Sequence, residues 1–289
     1  MGADVSSIPK VQRRSLWTSI INSFIVLAVF LLLAYGIEWL VKPTFTPFWL
    51  LVTGILMALI PAAAWIFFFY RQDQREPEPK GMVLQVFILG ALLAAAVGIP
   101  LLDRVFNVTS WVFTNTLTHI LGGILVIGFT QEFLKLVAVR FSVYDSPEFD
   151  ERTDGIIYAT AAGLGYATIL NMAFIVNSGG VNLGMGAIRV VLTALAQASF
   201  AGITGYFLSS EKLDKRPVWW LPLGLVIAAV LNGLFFFLYG TLTRPSISLA
   251  GGQVNPWWGL ILAIVIAGAT TGILSWLIQR DQVRKQVEA

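Results

Sequence analysis

Glu132 and Lys135 stand three residues apart in an apolar run, and Gln131 precedes the lysine by four. Positions three and four apart share one side of a helix. The segment Gln131-Glu132-Phe133-Leu134-Lys135 therefore gathers a carboxylate, an ammonium and an amide on one face. A carboxylate can accept a proton, hold a metal or pair with a cation. An ionisable group in mid-membrane costs on the order of 2.5–3.5 kcal/mol, so each one is a functional candidate. Two readings stay open: an ion pair whose only role is to make its own burial tolerable, and part of a working polar site.

Two later segments carry amides at helical spacing. After Asp154-Gly155, the residues Thr160, Gly163, Ala167 and Asn171 fall on one face, and so do Ala194, Gln197, Ala201, Thr204 and Gly205. Small residues let neighbouring backbones approach, and Asn171 and Gln197 can hydrogen-bond between helices, either as packing glue or as walls of a shared polar pocket. Counting residues puts Asn171 about 26 Å along its helix from Asp154, nearer the far surface than Glu132. Imidazole chemistry rests on His119 alone, thirteen residues or about 20 Å along the helix from Glu132. With no cysteine, thiolate metal sites, cysteine nucleophiles and disulfides are excluded.

These groups must be positioned by helices inside a bilayer. The 289 residues are 57% hydrophobic and 12% charged, with mean hydropathy +0.78, too apolar for a water-soluble globule. The fold expected is all-α, a polytopic transmembrane helical bundle of about eight spans at 16–41, 48–70, 81–102, 117–141, 154–177, 187–209, 218–240 and 257–279, each near the ~20 residues that cross a bilayer. Alternating the loops puts fourteen Lys and Arg on one side and four on the other, with Lys135 inside a span. Positive loops stay cytoplasmic, so both termini are expected in the cytoplasm of a multi-pass plasma-membrane protein. That gives a tail at 1–15, one membrane domain at 16–279 and a tail at 280–289. The net charge of +3 follows from this topology and implies no nucleic-acid partner.

Four segments together resemble the PrsW-type intramembrane proteases, relatives of the membrane CAAX-processing proteases. Tyr70 to Pro79 followed by Phe87-Ile88-Leu89-Gly90 resembles the family's acidic Glu-Pro-rich signature, and Gln131 to Lys135 its Glu-Glu-x-x-Lys motif. Asp154-Gly155 through Gly163-Leu164-Gly165 to Leu170-Asn171 resembles its Asp-Gly…Gly-Leu-Gly-Phe-x-x-x-Glu-Asn motif. Arg189 through Gln197 to Gly205-Tyr206 resembles its arginine, histidine, glycine-tyrosine helix. The resemblance covers about residues 60–209 in the right order. It implies that water is activated for peptide hydrolysis by the motif carboxylates, with the histidine as metal ligand or proton carrier.

The departures fall on that chemistry. Gln131 and Leu170 replace carboxylates and Gln197 replaces histidine, leaving Glu132 as the one catalytic candidate among the motif positions Gln131, Glu132, Lys135, Leu170, Asn171 and Gln197. An amide cannot act as general base, and a catalytic zinc wants three protein ligands plus water. The expectation is a catalytically degenerate family member with no cofactor, which binds a transmembrane or membrane-anchored protein without cutting it. Two alternatives stand beside it: an active peptidase dependent on Glu132 or on a divalent metal such as zinc, with Asp154 as a helper, and a small-solute transporter built on the Glu132/Lys135 pair. Asp154, Gly155, Gly163, Gly165 and Arg189 are the supporting motif positions. Asp73, Glu76 and Glu78, in a loop with two prolines, offer either a stiff solvated turn or a docking surface for a partner.

Overall fold

Apolar runs this long form helices in lipid because every backbone N–H and C=O must find its partner inside the segment. The computed structural model describes residues 10–72, 79–214, 216–242 and 257–288. Among the described residues there are eight helices long and apolar enough to cross a membrane and no strand. They are α1 Lys10–Val41, α2 Pro47–Gln72, α3 Lys80–Ser110, α4 Thr116–Arg140, α5 Arg152–Asn177, α6 Leu183–Asp214, α7 Trp220–Leu242 and α8 Trp257–Glu288. Each matches one expected span, and the protein is an integral membrane protein. Large apolar side chains such as Leu32, Leu125, Phe133 and Val265 point outward, as a lipid-facing surface requires.

Burial identifies the centre. In α5 and α6, 67% and 72% of the membrane window is buried, against 11% in α1. These are the two helices whose sequences carry the small-residue faces, and they pack along their length. Gly155 and Gly205 make the closest approach possible: a Cβ on Gly205 would lie 2.1 Å from the Gly155 carbonyl, and one on Gly163 would lie 2.6 Å from the Gln197 carbonyl. Helix α6 also meets α1, α2, α4, α7 and α8, while α5 meets α2, α3 and α4.

The turn between α4 and α5 is fastened to the end of α6. Arg152 donates to both carboxylate oxygens of Asp214 at 2.7 and 2.6 Å, and Tyr144 donates to Glu211 at 2.5 Å. Lys212 Nζ donates to the carbonyls of Tyr144, Ser146 and Phe149. Burial, reinforced by Glu211, pushes the Tyr144 phenol up to about 12. Three helix ends are thus held in register on one side of the bundle.

Candidate functional site

Helix α4 bears the Gln131-Glu132-x-x-Lys135 face, and its approach to α7 is set by glycines. Residues Gly123–Gly128 form a π-helical segment within α4, one turn before the polar face. A Cβ on Gly128 would lie 2.3 Å from the Ala229 carbonyl, and one on Gly233 would lie 2.4 Å from the Ile124 backbone. With the two backbones this close, Asn232 of α7 reaches across. Its Nδ2 donates to Glu132 Oε1 at 2.6 Å and to Gln131 Oε1 at 3.1 Å.

From the other side α6 supplies Gln197. Lys135 Nζ donates to Glu132 Oε1 at 2.6 Å, to Gln197 Oε1 at 2.8 Å and to the Gln197 carbonyl at 3.3 Å. Gln197 Nε2 in turn donates to Gln131 Oε1 at 2.8 Å. The result is one connected network on α4, α6 and α7: a carboxylate, an ammonium and three amides. Formal charge sums to zero with Glu132 and Lys135 both ionised. Glu132 is fully buried and Lys135 is 1% exposed. Burial of this kind is tolerable only when charges are paired and hydrogen-bonded. Glu132 Oε2 is the exception, a buried oxygen with no hydrogen-bond partner among the described residues.

Of the sequence-predicted positions, Gln131, Glu132, Lys135 and Gln197 come together. The others do not join them. Asn171 donates to the Val190 carbonyl at 3.2 Å, in keeping with its depth along α5. Leu170 packs against an apolar cluster of Ala94, Leu134 and Tyr166. Asp154 Oδ2 accepts from the backbone N–H groups of Asp150 and Glu151, so its carboxylate is engaged in capping α5. Gly155 lies against the Gly205 carbonyl and Gly165 against the Phe87 carbonyl, both as close-packing contacts. Arg189 sits over the rings of Phe174 and Tyr239 at 4.9 and 5.1 Å. His119 is buried among Phe113, Phe236 and Phe237, apart from the network. Asp73, Glu76 and Glu78 lie outside the described residues.

Asn232 is the member that sequence reasoning missed. The signal was available: it is an amide inside an apolar span, the same feature that singled out Asn171 and Gln197.

Residues 78–269 match the family described as PrsW family intramembrane metalloprotease, two-thirds of the chain. The chain belongs to this family. The chain is similar to "Protease PrsW" of Bacillus subtilis (strain 168), 29% identical over 211 residues that cover 71% of this chain and 90% of that protein. It is 32% identical over 179 residues to "Protease PrsW" of Halalkalibacterium halodurans, covering 62% and 79%. With "Protease PrsW" of Clostridioides difficile (strain 630) it shares 29% over 238 residues, covering 80% and 90%. No solved structure matches the chain.

A PrsW family metalloprotease implies a metal, and the donor set of this network does not fit one. No group of three His, Asp, Glu or Cys residues that could hold a metal ion occurs among the described residues. The network has one acid, and its Oε1 already accepts from an ammonium and an amide. Amide oxygens can ligate hard cations, but Gln197 Oε1 faces Lys135, and a second cation there would meet the ammonium's charge at contact distance.

Proposed function

We propose that this PrsW family member is catalytically degenerate and acts by binding a transmembrane or membrane-anchored protein segment without hydrolysing it. The observation that carries this reading is the placement of Lys135 Nζ on the oxygens of Glu132 and Gln197. The one carboxylate of the network is occupied by a fixed cation, and its neighbours are amides that neither gain nor lose protons near neutral pH. The side chains that replace the motif acids and histidine keep the packing and the hydrogen bonds while removing proton transfer and metal ligation. The loop carrying Asp73, Glu76 and Glu78 supplies acidic groups for docking a basic segment of the partner. The excess of Lys and Arg on alternate loops orients the chain with both termini in the cytoplasm of the plasma membrane.

One observation favours a second reading. Glu132 Oε2 is without a hydrogen-bond partner among the described residues, which leaves one carboxylate oxygen that could act on water in a peptidase dependent on Glu132.

The test compares cells expressing the natural chain, Glu132→Ala, and the triple variant Gln131→Glu, Leu170→Glu, Gln197→His. Release of membrane-anchored proteins is read by quantitative proteomics, with photo-crosslinking of captured membrane proteins alongside. The proposal expects equal release with the natural chain and Glu132→Ala, together with crosslinked membrane proteins in both. Release that disappears with Glu132→Ala would instead establish a peptidase.

A further inference from the structure

On the side of α5 and α6 facing away from the polar network lies an apolar cleft lined by five helices. Its floor comes from α5 and α6, one wall from α1 and α2, and the other from α8. Ser23, Trp65, Thr160, Ala198, Ala267 and Thr271 represent the lining. Helix α8 packs on α6 and α7, which leaves the cleft between the two walls.

Its dimensions select the occupant. Along α5 the lining runs from Thr153 to Leu164, about 16 Å at 1.5 Å per residue. Half of a ~30 Å hydrocarbon core is about 15 Å. The cleft therefore begins at the end of the bundle fastened by Arg152 and Asp214 and stops near mid-membrane. Beyond it α1 and α2 close onto α6 through Ala34, Met57 and Ala187, while Ala58 packs with Ile175 and Val190. A partner's spanning helix, roughly 10 Å across and 30 Å long, would meet this closure halfway along its length. A chain confined to one leaflet would not.

The mouth is suited to the polar part of a lipid. Ser23 of α1 lines the cleft together with Thr153, the second residue of α5, and its Oγ is buried without a hydrogen-bond partner among the described residues. It can donate to an ester carbonyl at the depth where acyl chains join their headgroup. Arg280, with its guanidinium 5.5 Å from the Trp276 ring centre, adds a cation at the same end of α8, at headgroup level.

We infer that this cleft is a binding site for an acyl chain of a glycerophospholipid from the adjacent leaflet, with Ser23 holding the ester region. The site is independent of the polar network and of whether the chain cleaves anything.

The full-length protein is reconstituted in phosphatidylethanolamine/phosphatidylglycerol vesicles doped with a phosphatidylcholine bearing a diazirine on its acyl chain, and crosslinked residues are mapped by peptide mass spectrometry. Adducts are expected on the cleft-lining positions of α6 between 194 and 202 and of α8 between 267 and 275. They should fall at least tenfold in Ala198→Phe, while labelling of the outward-facing Leu125 stays unchanged. Thr271→Phe, on the α8 wall, should give the same loss and serves if Ala198→Phe fails to fold. Adducts confined to outward-facing residues, or cleft labelling that survives both substitutions, would overturn the assignment.

Discussion

Lys135 Nζ lies 2.6 Å from Glu132 Oε1, an ion pair buried completely between α4, α6 and α7. Three amides surround it, from Gln131, Gln197 and Asn232. The pair makes the network electrically neutral. Its neutrality is the physical basis for several expected outcomes.

Removing one partner leaves a bare charge in the membrane interior. Lys135→Met should destabilise the protein by about 3–5 kcal/mol, and Lys135→Met with Glu132→Gln should recover most of that loss, because a neutral pair of similar volume needs no counter-charge. Thermal or denaturant unfolding in detergent, arranged as a double-mutant cycle, measures the coupling.

Gln131→Glu adds a second carboxylate with no second cation. The expected cost is on the order of 2.5–3.5 kcal/mol at neutral pH, relieved when the medium is acidified enough to protonate the added acid. Unfolding of the variant and the natural chain between pH 4 and 8 checks this. The variant should gain on the natural chain as pH falls.

Asn232→Leu keeps the volume of the side chain and removes two donated hydrogen bonds, one of them to a carboxylate. A loss of about 1.5–3 kcal/mol is expected. Asn171→Leu, whose amide meets only the Val190 carbonyl among the described residues, should cost about 1 kcal/mol. The ranking of the two midpoints is the readout.

The pattern of these residues in the sequence explains which parts of the site were legible. Spacing alone put Gln131, Glu132 and Lys135 on one face, and the small residues around Gly163 and Gly205 marked close-packing faces on α5 and α6. Residue counting also placed Asn171 nearer the far surface than Glu132, and its amide donates to the Val190 carbonyl of α6. Asn232 went unremarked because α7 otherwise reads as uniformly apolar, and its reach depends on the close approach at Gly128 and Gly233. The π-helical segment Gly123–Gly128 has no counterpart in hydrophobic periodicity. The cleft on the other side of α5 and α6 combines residues from five helices, an arrangement that arises only on folding.

Outside the membrane, Tyr144 ties the turn after α4 to Glu211. Its phenol is raised to about 12 in the folded protein, so the folded state holds the proton more tightly than the unfolded chain, where ionisation occurs near the ordinary value of 10.0. The stabilisation is therefore complete below about pH 10 and lost as pH climbs from there towards about 12. Tyr144→Phe should flatten the fall of the unfolding midpoint across that interval.

The most direct test of the central claim is the metal content of the purified, detergent-solubilised natural protein. A network neutralised by Lys135 predicts no stoichiometric transition metal, and no change in content on Glu132→Ala. One tightly bound metal per chain that Glu132→Ala removes would contradict it, and would make Glu132 a ligand rather than the partner of Lys135.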